Sequence, residues 1–272
     1  MFSCKPEIRS KLIMPETQTS ESFLNPPLIE VVCGVQFEAP SFSSIHFGLY
    51  ANHVCRRFKY IAPERSPLST SDSFGISELP PLRRVWYESI EDSGLIQLQS
   101  NRFLYNWRRK DQEEYPRFTR IFPAFEKEWE VFREWYSGEA GELLIPTKYQ
   151  LTYLNEVDSE KGWKLPKDTS TILSFLNSSR GESILHEILS QQHKFQFRLP
   201  KDLGILTVGI QQISNKKEDP QCLLIEFSAS SGVNVDTFEI PSMDYWFSDA
   251  NKAIVKSFLS LTTDEIQNNY WG

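Results

Sequence analysis

The chain lacks most of what would mark a known enzyme class. It has 12 glycines in 272 residues, and none of them stands in a GxxxxGK[ST], GxGxxG or GxSxG arrangement. A phosphate-cradling loop, a dinucleotide-binding turn and a nucleophile elbow are therefore not expected. The four cysteines, Cys4, Cys33, Cys55 and Cys222, form no CxxC pair, and no zinc-finger spacing exists. Cys33 and Cys55 sit inside apolar patterns and read as small buried hydrophobes. The histidines fall as His46/His53 and His186/His193. Two ligands at that spacing do not complete a metal site, and His186-Glu187 lacks the HExxH continuation. No metal and no cofactor are expected. No run approaches the roughly 20 apolar residues of a membrane helix. The opening MFSCKPEIRSKLIMPETQTSES has no continuous apolar stretch of signal-peptide type. Residues 1–25 read as a polar arm, and a reducing cytoplasm is the expected setting. An excess of positive charge is missing too. With 29 basic and 36 acidic side chains the net charge is -7, which disfavours wholesale coating of nucleic acid.

Aromatic residues are plentiful, with 19 Phe, 10 Tyr and 7 Trp. Rings of this size carry a large apolar payload for a core. After Pro26-Pro27, the positions Ile29, Val31, Cys33, Val35 and Phe37 alternate with Glu30, Gly34, Gln36 and Glu38, which predicts a strand with one buried face. Ser43 or Ser44 then caps a helix to about Phe58 whose apolar side is Ile45, Leu49, Val54 and Phe58. Residues 61–82 read as a long loop. Strands are predicted at Arg84–Ser89, Leu95–Gln99 and Arg102–Arg108. After Pro116, the residues Phe118, Ile121, Phe125, Trp129, Phe132 and Tyr136 recur at helical spacing, with Gly138 as the stop.

The order then repeats. A strand is expected at Thr147–Val157 and helical pieces over residues 168–192. Strands follow at Lys194–Leu199, Gly204–Ile213 and Gln221–Ser228, and a final helix starts near Asp244. The fold class is α+β: antiparallel sheets with helices on one face, built from two tandem strand-helix-three strands-helix units over residues 26–140 and 141–272. The TATA-binding-protein fold duplicates a unit of similar order, an analogy of fold alone.

Four segments carry a family resemblance. They are PPLIEVV (26–32), LQSNRFLYNW with DQEEYPRF (98–107 and 111–118), YQLTYLNEV (149–157) and FLSLTTDEIQNNYWG (258–272). In order and spacing the chain resembles a sporadically distributed prokaryotic family with no assigned activity. The resemblance implies a bacterial or archaeal origin and a patchy distribution like that of defence-associated genes. It implies no catalytic residue.

The stretch 102–120 carries the candidate contacts. Arg102, Arg108, Arg109 and Arg117 interleave with Trp107 and Tyr115. Arginine clamps phosphate and exposed rings stack on bases. The alternation, however, sends the aromatics to one strand face and the arginines to the other, as in a strand with a core face and a solvated face. Arg, Tyr and Trp are also the residues enriched at protein-binding hot spots. The leading expectation is a non-enzymatic binding or adaptor protein that works with a protein partner, in a defence or toxin–antitoxin setting. One alternative is a nucleic-acid-binding regulator that uses the Arg/aromatic strand. Another is an enzyme in which three or more of Glu30, Glu38, His46, His53, Glu88 and Glu226 converge in one pocket.

Overall fold

A computed structural model describes residues 23, 25–65, 84–110, 114–175, 188–213, 221–232 and 240–272. Most of the expected arm over 1–25, most of the 61–82 loop and residues 176–187 of the expected 168–192 helical region lie outside these residues, as does His186. Of the described part of that region only the short Pro166–Asp168 and Thr169–Ile172 turns are helical, and Gln192 already belongs to a strand.

The strands form one antiparallel sheet rather than several. They are β1 (Leu28–Glu38), β2 (Phe58–Arg65), β3 (Arg84–Ser89), β4 (Gly94–Gln99), β5 (Arg102–Arg108), β6 (Ile145–Val157), β7 (Gln192–Arg198), β8 (Ile205–Ile213) and β9 (Cys222–Ser230). Their order across the nine-stranded sheet is β2-β3-β4-β5-β1-β6-β9-β8-β7. β1 and β6 make the central ladder, with Cys33 opposite Leu151. On one side of it lie β5, β4, β3 and β2, and on the other β9, β8 and β7. The order is close to a mirror, with β2 as the extra strand.

Side-chain alternation makes the two faces of the sheet unlike. Val31, Cys33 and Val35 of β1 stand opposite Trp107, Tyr105 and Phe103 of β5. They also stand opposite Tyr153, Leu151 and Tyr149 of β6. All belong to the buried core. The helices α1 (Ser44–Val54), α2 (Phe118–Ala140) and α4 (Met243–Leu261) supply the rest of it, with a one-turn α3 (Thr169–Ile172) and α5 (Asp264–Ile266). Phe132 of α2 packs 5.6 Å from Phe37 and 5.2 Å from Phe103, ring to ring. In α4, Phe247 lies 5.7 Å from Tyr149, and Phe258 lies 5.8 Å from Phe227. The two long helices meet where Phe247 approaches Phe122 and Phe125, each at 5.1 Å.

Several local expectations are corrected. α1 buries Tyr50 and Val54, whereas Ile45 and Leu49 are 65% and 40% exposed. Hydrophobicity favours Ile45 and Leu49, but the aromatic wall of α2 selects Tyr50 instead. Tyr50 meets Phe132 at 5.2 Å and Trp135 at 5.0 Å. Phe58 opens β2 instead of closing the helix, so part of the expected loop is strand. Cys55 is exposed, not buried. α2 runs past Gly138 to Ala140 and is closed by Gly141, whose φ of 67° is the left-handed geometry glycine adopts without strain. Thr263 caps the final turn by accepting from the Ile266 N–H. No described helix is long and apolar enough to cross a membrane.

Candidate functional site on the open sheet face

The second face of the sheet carries the polar half of every strand. No described helix packs on it. Along β5 this face presents Arg102, Leu104, Asn106 and Arg108, and along β1 Glu30, Val32, Gly34 and Gln36. The structure separates it into two regions of different character.

Over β3, β4, β5 and β1, the polar groups are buried and tied to one another. Gln97, Gln99, Arg102 and Asn106 are each no more than 7% exposed. Asn106 donates from Nδ2 to Glu30 Oε1 at 2.6 Å, and the same Glu30 oxygen lies 3.5 Å from Arg108 Nε. Arg102 Nε donates to the Gln36 amide oxygen at 3.3 Å, and burial lowers the affinity of Arg102 for its proton. Gly34 has a steric reason to be glycine, since a Cβ there would collide with Leu104. At the outer margin the indole of Trp86 lies under two guanidiniums, with Arg108 Cζ 5.3 Å and Arg84 Cζ 5.6 Å from its ring. Glu88 faces Lys59 at 3.5 Å and Lys110 at 3.9 Å. Gln97 Oε1, Gln99 Nε2 and Asn106 Oδ1 are buried with no hydrogen-bond partner. Such orphaned atoms carry a desolvation cost that an arriving partner can relieve.

The candidate residues of 102–120 do not form one patch. Arg102 is buried in the sheet face. Arg108 is exposed there, with 47% of its side chain open, and is already engaged by Glu30 and Trp86. Arg109 leaves the strand, its N–H donating to the Ile29 carbonyl at 2.8 Å. Trp107 is 4% exposed in the helix-side core, so it shapes no surface. Tyr115 is half-buried beside Trp107, with ring centroids 5.4 Å apart. Its hydroxyl lies 3.3 Å from that of Tyr153. Arg117 holds φ 69° at the start of α2 and stacks over Tyr115 at 5.7 Å. The strand reverses face at every residue and the chain then turns into α2, so the sheet itself stands between Arg108 and the Arg117/Tyr115 pair.

Over β6, β9, β8 and β7 the open face is exposed and notched. Lys194 of β7 and Gly209 of β8 are register partners, as are Gly209 and Glu226 of β9. The missing side chain at Gly209 opens a cavity of about 240 Å³ lined by Lys194, Glu226, Thr207, Gln192, Leu154 and Leu224, among others. Desolvation by burial raises the Glu226 carboxyl above its usual range, Lys194 opposes that shift and Glu30 adds to it.

The acidic and histidine candidates do not converge. Of them only Glu226 lines this cavity. Glu30 is committed to Asn106 and Arg108, and Glu88 to its lysines. His46 and His53 lie on α1 against Trp135, at 6.4 and 6.2 Å. Among the described residues no group of three or more His, Cys, Asp or Glu is placed to hold a metal.

Sequence reasoning missed Trp86, Lys194 and Gly209. Trp86 and Glu88 alternate with Val85 and Tyr87, so the polar face of β3 was legible once the strand was drawn. Gly209 stands in regular register with β7 and β9, so no bulge or turn marks it.

No family model matches this chain, and no curated protein matches it. Among solved structures, the crystal structure of DynU16, a protein in the dynemicin biosynthetic locus, aligns over 86% of this chain and 96% of its own at 10% identity and a TM-score of 0.24. A likeness this loose transfers no residue.

Proposed function

We propose that the protein is a non-enzymatic binding or adaptor protein that docks a partner polypeptide on the open face of its sheet, around Trp86 and Arg108. The family resemblance supports placing it in a prokaryotic cytoplasm, in a defence or toxin–antitoxin setting. The observation that carries the reading is the cluster in which Arg84 and Arg108 lie over Trp86 beside Glu30 and Glu88. Trp and Arg are the residues that dominate protein-binding hot spots. Three cations of this face already meet carboxylates, Arg108 at Glu30 and both Lys59 and Lys110 at the single Glu88. A phosphate backbone would have to displace those carboxylates, whereas a polypeptide of mixed charge can interleave with them.

The test is affinity capture of the tagged protein from its host, with and without nuclease. The expected result is a stoichiometric polypeptide that survives nuclease and is lost in Trp86→Ala plus Arg108→Ala, a variant whose melting temperature shows that it folds. Nuclease-sensitive material released by moderate salt, the signature of counterion release from phosphate contacts, would replace this reading with the nucleic-acid regulator.

A further inference from the structure

Gly209 sits in the middle of β8 without a structural reason to be glycine. Its φ is not among the positive values found at Gly141, Gly162 and Gly204. A Cβ built on it would come no closer than 3.8 Å to its nearest neighbour, the Glu226 Cβ, which is ordinary contact. Glycine weakens a strand interior through lost packing and added chain entropy, and where neither turn nor crowding demands it, it marks a place that something approaches closely. The gap it leaves is bounded by one cation and one anion. Lys194 and Glu226 are the register partners of Gly209 on either side. Across the notch the Lys194 charge favours the ionised form of the Glu226 carboxyl. Strands are about 4.8 Å apart, so the two side chains rise roughly 10 Å from each other across the notch. The other open-face charges near them are Glu30, which lies beyond Leu154 and is held by Asn106 and Arg108, and Glu156, which stands opposite Leu224.

We propose that this notch binds a small α-amino acid as its zwitterion, the carboxylate on Lys194 and the ammonium on Glu226. Thr207 and Gln192 stand at the cation side with further polar groups, and Leu224 and Leu154 form an apolar floor for a short aliphatic side chain. The cavity, about 240 Å³, falls below the roughly 300–1,000 Å³ of sites for drug-sized ligands, which suits a ligand of amino-acid size. A phosphate or a fatty acid would leave Glu226 facing like charge or hydrocarbon. A polyamine would leave Lys194 facing like charge. Only a ligand with both signs close together meets both walls. This site is separate from the Trp86–Arg108 cluster and does not depend on it.

The test is calorimetric titration of the full chain with L-leucine, with the Gly209 amide shift followed in ¹⁵N spectra. Leucinamide, which has lost the carboxylate, and 4-methylpentanoate, which has lost the ammonium, are the controls. L-leucine is expected to saturate at millimolar concentration or tighter and to move the Gly209 amide. Each control is expected to bind at least about tenfold more weakly, the loss of one charged contact. Lys194→Ala and Glu226→Gln should each weaken binding by a similar factor, and Gly209→Val should abolish it while leaving the melting temperature equal or higher. Absence of saturation by 50 mM leucine, equal binding of the controls, or leucine binding unchanged in Lys194→Ala would overturn the proposal. Because Lys194 and Glu226 are exposed, their variants remain informative if Gly209→Val fails to fold.

Discussion

The two halves of the sheet share a strand order and a helix-covered face, yet they treat their open face in opposite ways. In the N-terminal half, polar side chains on β4 and β5 are buried, and Asn106 and the exposed Arg108 share the Glu30 carboxylate. In the C-terminal half, Lys194 and Glu226 stand apart on either side of a glycine. The dry face shows no such contrast, since Phe132 and Phe247, each fully buried, do the same work against the same ladder of strands. The core face sets the architecture once for both halves, while the open face is free to diverge.

The largest expected effect tests whether the dry faces are equivalent. Phe132→Ala and Phe247→Ala should each cost about 3–5 kcal/mol. Denaturant unfolding followed by tryptophan fluorescence and by circular dichroism should remain one coincident transition in both variants. A variant that melts one half alone would show that the halves are independent.

The next effect lies on the open face of the N-terminal half. Asn106→Ala removes the group that donates to Glu30 and should destabilise by about 1–2 kcal/mol, measured as a shift in denaturant midpoint. An unchanged midpoint would mean that the polar network is held for its partner and adds nothing to folding.

The seam between the halves should respond to pH. Glu126 of α2 is raised to about 7, first by burial, then by a hydrogen bond with Asp244 of α4 and by its charge. A carboxyl whose folded value exceeds its usual 4.5 is stabilised in its protonated form. That contribution is complete below pH 4.5 and is lost as the pH rises through about 7. Stability should therefore fall between pH 4.5 and 7 by an amount on the order of 1 kcal/mol after solvent screening, and Glu126→Gln should flatten that segment of the profile. A profile unchanged by the substitution would detach Glu126 from the seam.

The smallest effect has the opposite sign. Gly209→Ala should raise stability by roughly 0.5–1 kcal/mol, because the strand accepts a Cβ there without crowding. A loss of stability instead would give Gly209 a structural reason and weaken the case for the notch.

Much of the fold was legible because it follows from periodicity. The alternation in 29–37 and 149–153, and the helical recurrence of aromatics in 118–136, each have one solution that buries their rings, and the structure takes it. What periodicity cannot give is which apolar residues win when a face has too many candidates. Ile45 and Leu49 lost to Tyr50 because the neighbouring wall is made of Phe132 and Trp135. The site was less legible. Contiguous sequence grouped Arg102 to Arg117, but sheet register separates them, and the residues that share a site, Trp86 with Arg108 and Lys194 with Glu226 around one cavity, come from different strands.

The most direct test of the central claim is photocrosslinking in the native host. A photoreactive amino acid replaces Trp86 on the open face and, in a second protein, replaces exposed Lys127 on the outer side of α2. Binding through the open face predicts a discrete polypeptide adduct from position 86 and none from position 127. An adduct from position 127 alone, or a nucleic-acid adduct from position 86, would contradict it.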